Sequence, residues 1–291
     1  MLSVVIPTYN RCETLKKAIV AYQTQSAASE ISELIVVDDG STDSTPALID
    51  QMAQHSALRM RYFRQQNKGP AAARNVGIQA ASSPIILFTD DDIIPERGLV
   101  AEHLHWHSAY SDETAALLGL VNWSPELAPT PFMEWYGSEI LFSFTKLTGG
   151  AQIDYRYFYT CNISLKTDFL RTQGAFDEDF KFAAFEDIEL GFRLSKAGMK
   201  LYFNPQALAY HEQFITFRDA CRRYQKTAAA SVVFRQKDAA RKESHVVWET
   251  TPRKKAFKKW LAPALRPLEA LMDWRFPLPW GVYRTMFRIY R

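Results

Sequence analysis

Three acidic clusters carry the chemistry open to this chain. Asp90-Asp91-Asp92 follows the apolar run Ile85 to Phe88 without a break. Carboxylates bunched so closely repel one another unless a counter-charge intervenes. A hard divalent cation shared with phosphate oxygens meets that need, since Mg²⁺ binds carboxylates together with substrate phosphates; a solvated acidic turn is the alternative. Asp38-Asp39-Gly40-Ser41 ends a second apolar run, Glu33 to Val37. A carboxylate there could accept a hydrogen bond from the ring N–H of a nucleotide base, and Gly40 permits a tight turn. An Asx turn leading into a helix would use the same residues. Glu186-Asp187 opens a stretch of helical spacing, where the helix dipole favours an ionised carboxylate. Such an aspartate can take a proton from an attacking hydroxyl, or serve only as a cap. Around these clusters stand Pro7 and Tyr9, suited to stacking on a base or to packing, and His211, an imidazole suited to a Mn²⁺-like ion or to structure.

The elements that would position these groups follow from spacing. Leu2 to Ile6, Glu33 to Val37, Met60 to Phe63 and Ile85 to Phe88 are short apolar runs that predict strands. Between them, Glu13 to Gln25, Thr45 to His55 and Ala71 to Ala81 predict helices, the last opened by Gly69-Pro70. Strands alternating with helices imply a doubly wound, mostly parallel α/β sheet with helices on both faces. In such sheets ligands bind beyond the carboxyl ends of the strands, where the polar clusters lie. From Trp106 to Tyr159 the pattern loosens and aromatics crowd. A helix is expected from Glu186 to a Gly198 cap, then a strand over Leu201 to Phe203 and a segment ending at His211.

Composition excludes several classes. Cys12, Cys161 and Cys221 are too far apart for a zinc knot or a disulfide framework. No run of about 18 apolar residues predicts a membrane-spanning helix. Met1 leads directly into an apolar run without the basic segment of a secretory leader, so a cytoplasmic setting is expected. The net charge of +3 hides an asymmetry. From Arg218 to Arg291 there are 18 Lys/Arg against 6 Asp/Glu, while Met1 to Phe217 holds 17 against 26. A basic extension on an acidic body suits an anionic partner or a solvated helical face.

Taken in order, VVIPTYNR (Val4 to Arg11), VVDDGSTD (Val36 to Asp43), NKGPAAARN (Asn67 to Asn75) and LFTDDDIIP (Leu87 to Pro95) resemble the family 2 glycosyltransferases with the GT-A fold. CNISLK (Cys161 to Lys166), GAFDEDF (Gly174 to Phe180), FEDIELGFRLSKAG (Phe185 to Gly198) and His211 complete the set, so the resemblance covers Leu2 to Glu212. It implies that Pro7 and Tyr9 hold the base, that Asp39 bonds a uracil ring, and that Arg74 lies near the donor. It further implies that Asp90 and Asp92 are the acids of a D-x-D motif, with Asp92 the metal ligand. The extra Asp91 leaves that register open, so any two of the three could contact donor and metal. Asp187 matches the catalytic base, and His211 a metal or diphosphate contact. Processive members carry a Q-x-x-R-W motif and membrane helices. Arg222-Arg223-Tyr224 matches the motif only faintly, so single-sugar transfer is expected.

The expected activity is therefore inverting transfer from a nucleoside diphosphate sugar, with UDP favoured, assisted by Mn²⁺ or Mg²⁺. The expected acceptor is a lipid-linked or cell-surface glycan. A sugar nucleotidyltransferase would need a glycine-rich basic loop after the first strand, which Pro7-Thr8-Tyr9-Asn10-Arg11 does not provide; a silent nucleotide-binding module is the other alternative. The expected organisation is a catalytic domain over 1–217, with a nucleotide-binding half (1–100) and an acceptor half (101–217), followed by a basic helical extension (218–291). In that extension Trp248, Trp260, Trp274 and Trp280 interleave with basic residues, as in a helix lying on an anionic membrane at its inner face; a tail that forms a dimer or covers the domain would carry similar aromatics. Nucleic acid is not expected as a partner, because no recognition module accompanies the charge.

Overall fold

The computed structural model describes residues 1–240, 265 and 268–290. Trp248, Trp260 and the basic stretch from Arg253 lie outside the described residues. The chain divides into two compact units, one of residues 1–122 with 146–212, the other of residues 123–145 with 213–291.

The first unit begins as a parallel α/β layer. Strands β1 (Leu2–Thr8), β2 (Ile31–Asp38), β3 (Met60–Arg64) and β4 (Ile85–Thr89) pair in parallel in the order β3-β2-β1-β4. Every residue of β1 and β4 is buried, as expected of strands covered on both faces. Helices α1 (Cys12–Gln23), α2 (Thr45–His55) and α3 (Pro70–Ala80) make the crossovers. Leu15, Ala18, Ile19 and Tyr22, the apolar positions at helical spacing, form the buried face of α1. Helix α3 starts where Gly69 takes φ +95° and Pro70 fills the first turn. It packs so close to β1 that a Cβ on Gly77 would lie 2.3 Å from a Val5 methyl, which explains the run of small residues in this helix.

Antiparallel strands extend this sheet, a feature the spacing alone did not reveal. Strand β5 (Ile93–Pro95), helix α4 (Leu99–Ala109) and strand β6 (Ala115–Trp123) follow the acidic triplet. After α5 (Pro131–Tyr136), which belongs to the second unit, come β7 (Gln152–Ile153), β8 (Asn162–Lys166), α6 (Thr167–Thr172), α7 (Glu186–Lys196) and β9 (Lys200–His211). The full order is β3-β2-β1-β4-β8-β6-β9-β5, with β7 on β9. Strand β8 runs antiparallel to β4 with Thr89 opposite Asn162, and β5 pairs β9 with Ile93 opposite His211. These two registers bring the CNISLK segment and His211 to the acidic triplet. The expected strand at Leu201 and the segment ending at His211 are one continuous twelve-residue strand.

Beneath this half lies a buried polar network. His103 on α4 contacts Ser164 Oγ at 2.7 Å and Asn162 Oδ1 at 2.9 Å, and His107 contacts the same hydroxyl at 2.8 Å. Burial depresses both imidazoles, His103 to about 4 and His107 to about 3, the latter helped by Lys166 and His103.

The second unit is an aromatic helical cluster. Helix α5 is capped by the Thr130 hydroxyl, which accepts from Met133 N, and packs with α8 (Phe217–Ala240) and α10 (Trp280–Tyr290); α9 (Glu269–Met272) lies between these in sequence. Phe132, Trp135, Phe217, Tyr283 and Phe287 form its centre, with ring centroids 5.3–6.5 Å apart. Among the described residues no helix is long and apolar enough to cross a membrane.

Candidate active site

The carboxyl ends of β1, β2 and β4 meet at one edge of the first unit, and each acidic cluster there is held by a different device. Asp38 is fully buried, accepting from Ser41 N at 2.7 Å and from the Tyr62 hydroxyl at 2.7 Å. Asp39 reaches across to the loop before α3, accepting from Lys68 N and Gly69 N at 2.8 Å each and from Gln65 Nε2 at 2.7 Å. Both of its oxygens are thus engaged in shaping that loop. Gly40, at φ +87°, makes the intervening turn. Asn10, itself at φ +54°, locks the β1 end onto the same turn, since its Oδ1 accepts from Thr42 N at 2.7 Å. Pro7 is buried in β1 opposite Val37, whereas the Tyr9 ring just beyond it is 46% exposed and open to a stacking partner.

The triplet after β4 divides its labour. Asp90 remains partly exposed and accepts from Arg74 Nη2 at 2.8 Å. Asp91 turns inward and accepts from Thr8 Oγ1 at 2.7 Å; burial and the neighbouring Asp92 raise its pKa. Asp92 is bridged by the Arg11 guanidinium, which also reaches Asp91 Oδ1 at 3.5 Å. His211 Nε2 stands 3.7 Å from Asp92 Oδ2, and Glu212 N donates 2.7 Å to the Asp92 carbonyl. An aspartate oxygen and an imidazole nitrogen so close together are a hard and a borderline donor, a pair that would suit a Mn²⁺ or Mg²⁺ ion if the Arg11 guanidinium gave way. Among the described residues no group of three or more His, Cys, Asp or Glu side chains is placed to hold a metal ion.

Arg74 joins this edge to the start of α7. Nearly fully buried, it donates Nη1 to Glu186 Oε1 at 3.0 Å as well as Nη2 to Asp90. Its charge is reinforced by Asp90 and Glu186, which outweigh the cost of burial and raise its pKa. Asp187 follows, half-buried, its pKa raised by desolvation and then by Glu186 beside it. The residue before the pair, Phe185, takes the left-handed conformation at φ +66°, a conformation of real cost for an aromatic residue. That backbone turn aims the first residues of α7. Asn75, one position after Arg74, fixes the approach: its Nδ2 donates to Phe176 O at 2.9 Å and its Oδ1 accepts from Phe176 N at 2.8 Å.

Residues 3–126 match the family described as Glycosyl transferase family 2. A validoxylamine A glucosyltransferase of Streptomyces hygroscopicus subsp. jinggangensis (strain 5008) is 32% identical over 225 residues, covering 69% of this chain and 53% of the relative. Residues 3–126 belong to glycosyltransferase family 2. The chain spans about half the length of that relative. Among solved structures it is similar to the mannosyltransferase PcManGT from Pyrobaculum calidifontis in complex with GDP-Man and Mn²⁺ (TM-score 0.61, 17% identity, 99% of this chain and 84% of the other). It is also similar to S. aureus TarS 1-349 in complex with UDP (TM-score 0.58, 19% identity, 78% and 64%). Both likenesses support the GT-A fold.

Of the residues expected from the sequence, Asp90, Asp91, Asp92, Arg74 and His211 come together at this edge of the family 2 domain, and Arg74 ties Asp90 to the Glu186-Asp187 pair. Pro7 and Tyr9 close the neighbouring strand, and Asp39 faces the α3 loop. Two contributors carried no such signal. Arg11 and Thr8 are unremarkable in sequence and gain meaning only because β1 and β4 are neighbours. Glu186 was visible as half of an acidic pair, but its salt bridge to Arg74 spans 112 residues of sequence.

Proposed function

We propose that the chain is a metal-dependent, inverting glycosyltransferase that moves a single sugar from a nucleoside diphosphate sugar to an acceptor hydroxyl. UDP is the favoured nucleotide, and a lipid-linked or cell-surface glycan the favoured acceptor class. The observation that carries this reading is the continuous ion-pair chain Asp90–Arg74–Glu186 leading to Asp187, which couples the donor-side acids to a carboxylate of raised pKa. Asp187 receives the acceptor proton as the hydroxyl oxygen bonds to the anomeric carbon and the bond to the leaving diphosphate breaks. A single displacement of this kind inverts the centre. With its pKa raised to about 7, Asp187 is a stronger base than an ordinary carboxylate and is about half ionised at neutral pH. Arg74 pairs with both Asp90 and Glu186 and offers a permanent positive charge beside the donor side. Asp92 and His211 would hold the ion, which when bound supplies Lewis-acid stabilisation of the leaving diphosphate. Tyr9 would stack on the base, beside Pro7. Asp39, given its present bonds, would meet a base only from the face of the loop it braces.

A pH-independent substitution tests the base. Asp187→Asn is expected to bind the donor within about twofold of the parent by calorimetry and to lower kcat by ~100-fold or more. Full turnover by that variant would remove Asp187 from the role. The charge of the extension, 18 Lys/Arg against 6 Asp/Glu, supports peripheral attachment to an anionic membrane at the cytoplasmic face, where a lipid-linked acceptor would be met.

A further inference from the structure

The second unit satisfies its own aromatic core and still presents aromatics to solvent. Helix α10 turns Tyr283, Met286 and Phe287 inward, where Phe287 packs on Trp135 at 5.7 Å and on Tyr224 at 5.6 Å. The segment leading into it, Trp274-Arg275-Phe276-Pro277-Leu278-Pro279-Trp280, does not join them. Trp274 is 57% exposed, Phe276 73% and Trp280 49%, and Leu271 and Val282 on either side are exposed as well. The loop is shaped rather than loose: Trp274 N donates to Leu271 O at 3.3 Å, Leu278 N to the Tyr283 hydroxyl at 3.2 Å and Val282 N to Pro279 O at 2.8 Å.

We infer that Trp274 to Trp280 is a membrane-docking loop that places Trp274, Phe276 and Trp280 at the headgroup level of an anionic phospholipid bilayer. Indole rings favour that depth, where one edge is apolar and the N–H stays wet. Pro277 and Pro279 carry no backbone N–H, and the amides of Trp274, Leu278 and Val282 are already bonded within the unit, so the loop brings few unmet donors into a low-dielectric zone. Arg275 within the loop and Arg288 on α10 are exposed and available to lipid phosphates, in an extension with a threefold excess of basic over acidic residues. The exposed Arg275 and Arg288 also disfavour a second copy as the occupant, because pairing two such faces would juxtapose like charges. The inference rests on the proposed attachment to an anionic membrane and names the element that performs it.

Flotation of the full chain with vesicles of phosphatidylcholine alone and of phosphatidylcholine with phosphatidylglycerol (3:1) tests it, using the parent and a Trp274→Ser/Phe276→Ser/Trp280→Ser variant. The parent is expected to float at least tenfold better with the anionic vesicles. The variant should lose at least tenfold of that binding while its melting curve and nucleotide binding stay as in the parent, since all three residues are about half exposed or more. Equal flotation of parent and variant would overturn the loop and leave the anionic-membrane reading standing. No flotation of either would overturn both. A parent that sediments as a dimer, with the variant a monomer, would assign the loop to self-association and overturn the inference.

Discussion

At the residue scale the site is governed by how buried carboxylates find positive charge. Asp91 and Asp92 are both buried, and Arg11 is the group that bridges them. A divalent ion at Asp92 and His211 would compete with that guanidinium for one carboxylate. Arg11→Ala is therefore expected to bind Mn²⁺ about tenfold more tightly in calorimetry and to melt at a lower temperature in EDTA. Unchanged Mn²⁺ affinity would mean that Arg11 and the ion do not share Asp92. Asp187 gives a second residue-level expectation. A base must be ionised, so kcat should fall as pH drops through its folded pKa, and the raised value places that limb above the ordinary carboxylate range near about 4. A limb at the ordinary position would contradict the assignment. The acids themselves were legible in the sequence because like charges at strand ends are conspicuous. Their partners were not: Arg11 to Asp92 and Arg74 to Glu186 are contacts that exist only once strands and helices far apart in the chain are neighbours.

At the scale of elements, two features decide where the chemistry falls. One is register: Ile93 opposite His211 delivers the imidazole to Asp92, and Thr89 opposite Asn162 delivers the CNISLK segment. The other is the Gly69 turn, where a Cβ would lie 2.6 Å from the Lys181 carbonyl and φ is +95°. Gly69→Ala should destabilise the protein by ~2 kcal/mol or more in urea unfolding and weaken the Asp39 bonds to the loop. A loss below ~0.5 kcal/mol would show that the loop relaxes without cost. The parallel half was readable because each strand is a short apolar run and each helix has a clean 3.6-residue face, as in α1. The antiparallel half was not. Helix α4 buries His103 and His107 along with Leu99, Val100 and Trp106, so its polar residues mask an inward face. Strand β8 likewise buries Asn162 and Ser164, whose partners are those same histidines.

At the scale of the whole molecule, the buried histidine network makes stability depend on pH. His103 and His107 have folded pKa values of about 4 and about 3, below the unfolded value near 6.5. The unfolded chain then binds more protons, so their contribution is intact above pH ~6.5 and is lost as pH falls toward their folded values. Each could cost on the order of 3 kcal/mol by pH ~4. Asp91 and Asp187, with raised values, act in the opposite sense as they protonate, so the clean observable is a difference. The urea midpoint of His107→Gln should fall less between pH 7 and pH 4.5 than that of the parent; parallel slopes would remove the network from the pH response. Nor was the assembly of residues 123–145 with 213–291 visible in sequence, because aromatic density marks a core without saying which segments share it.

The proposed function requires metal-dependent consumption of a nucleotide sugar at the edge built by Asp90, Asp91, Asp92, Arg74 and His211. Nucleotide release from a panel of UDP-, GDP- and dTDP-sugars, measured with Mn²⁺ and again with EDTA, tests it most directly. The expected result is release from a UDP-sugar in Mn²⁺ that EDTA abolishes and that Asp92→Ala lowers by at least ~100-fold. Release undiminished by EDTA, or release from no donor in the panel, would contradict it.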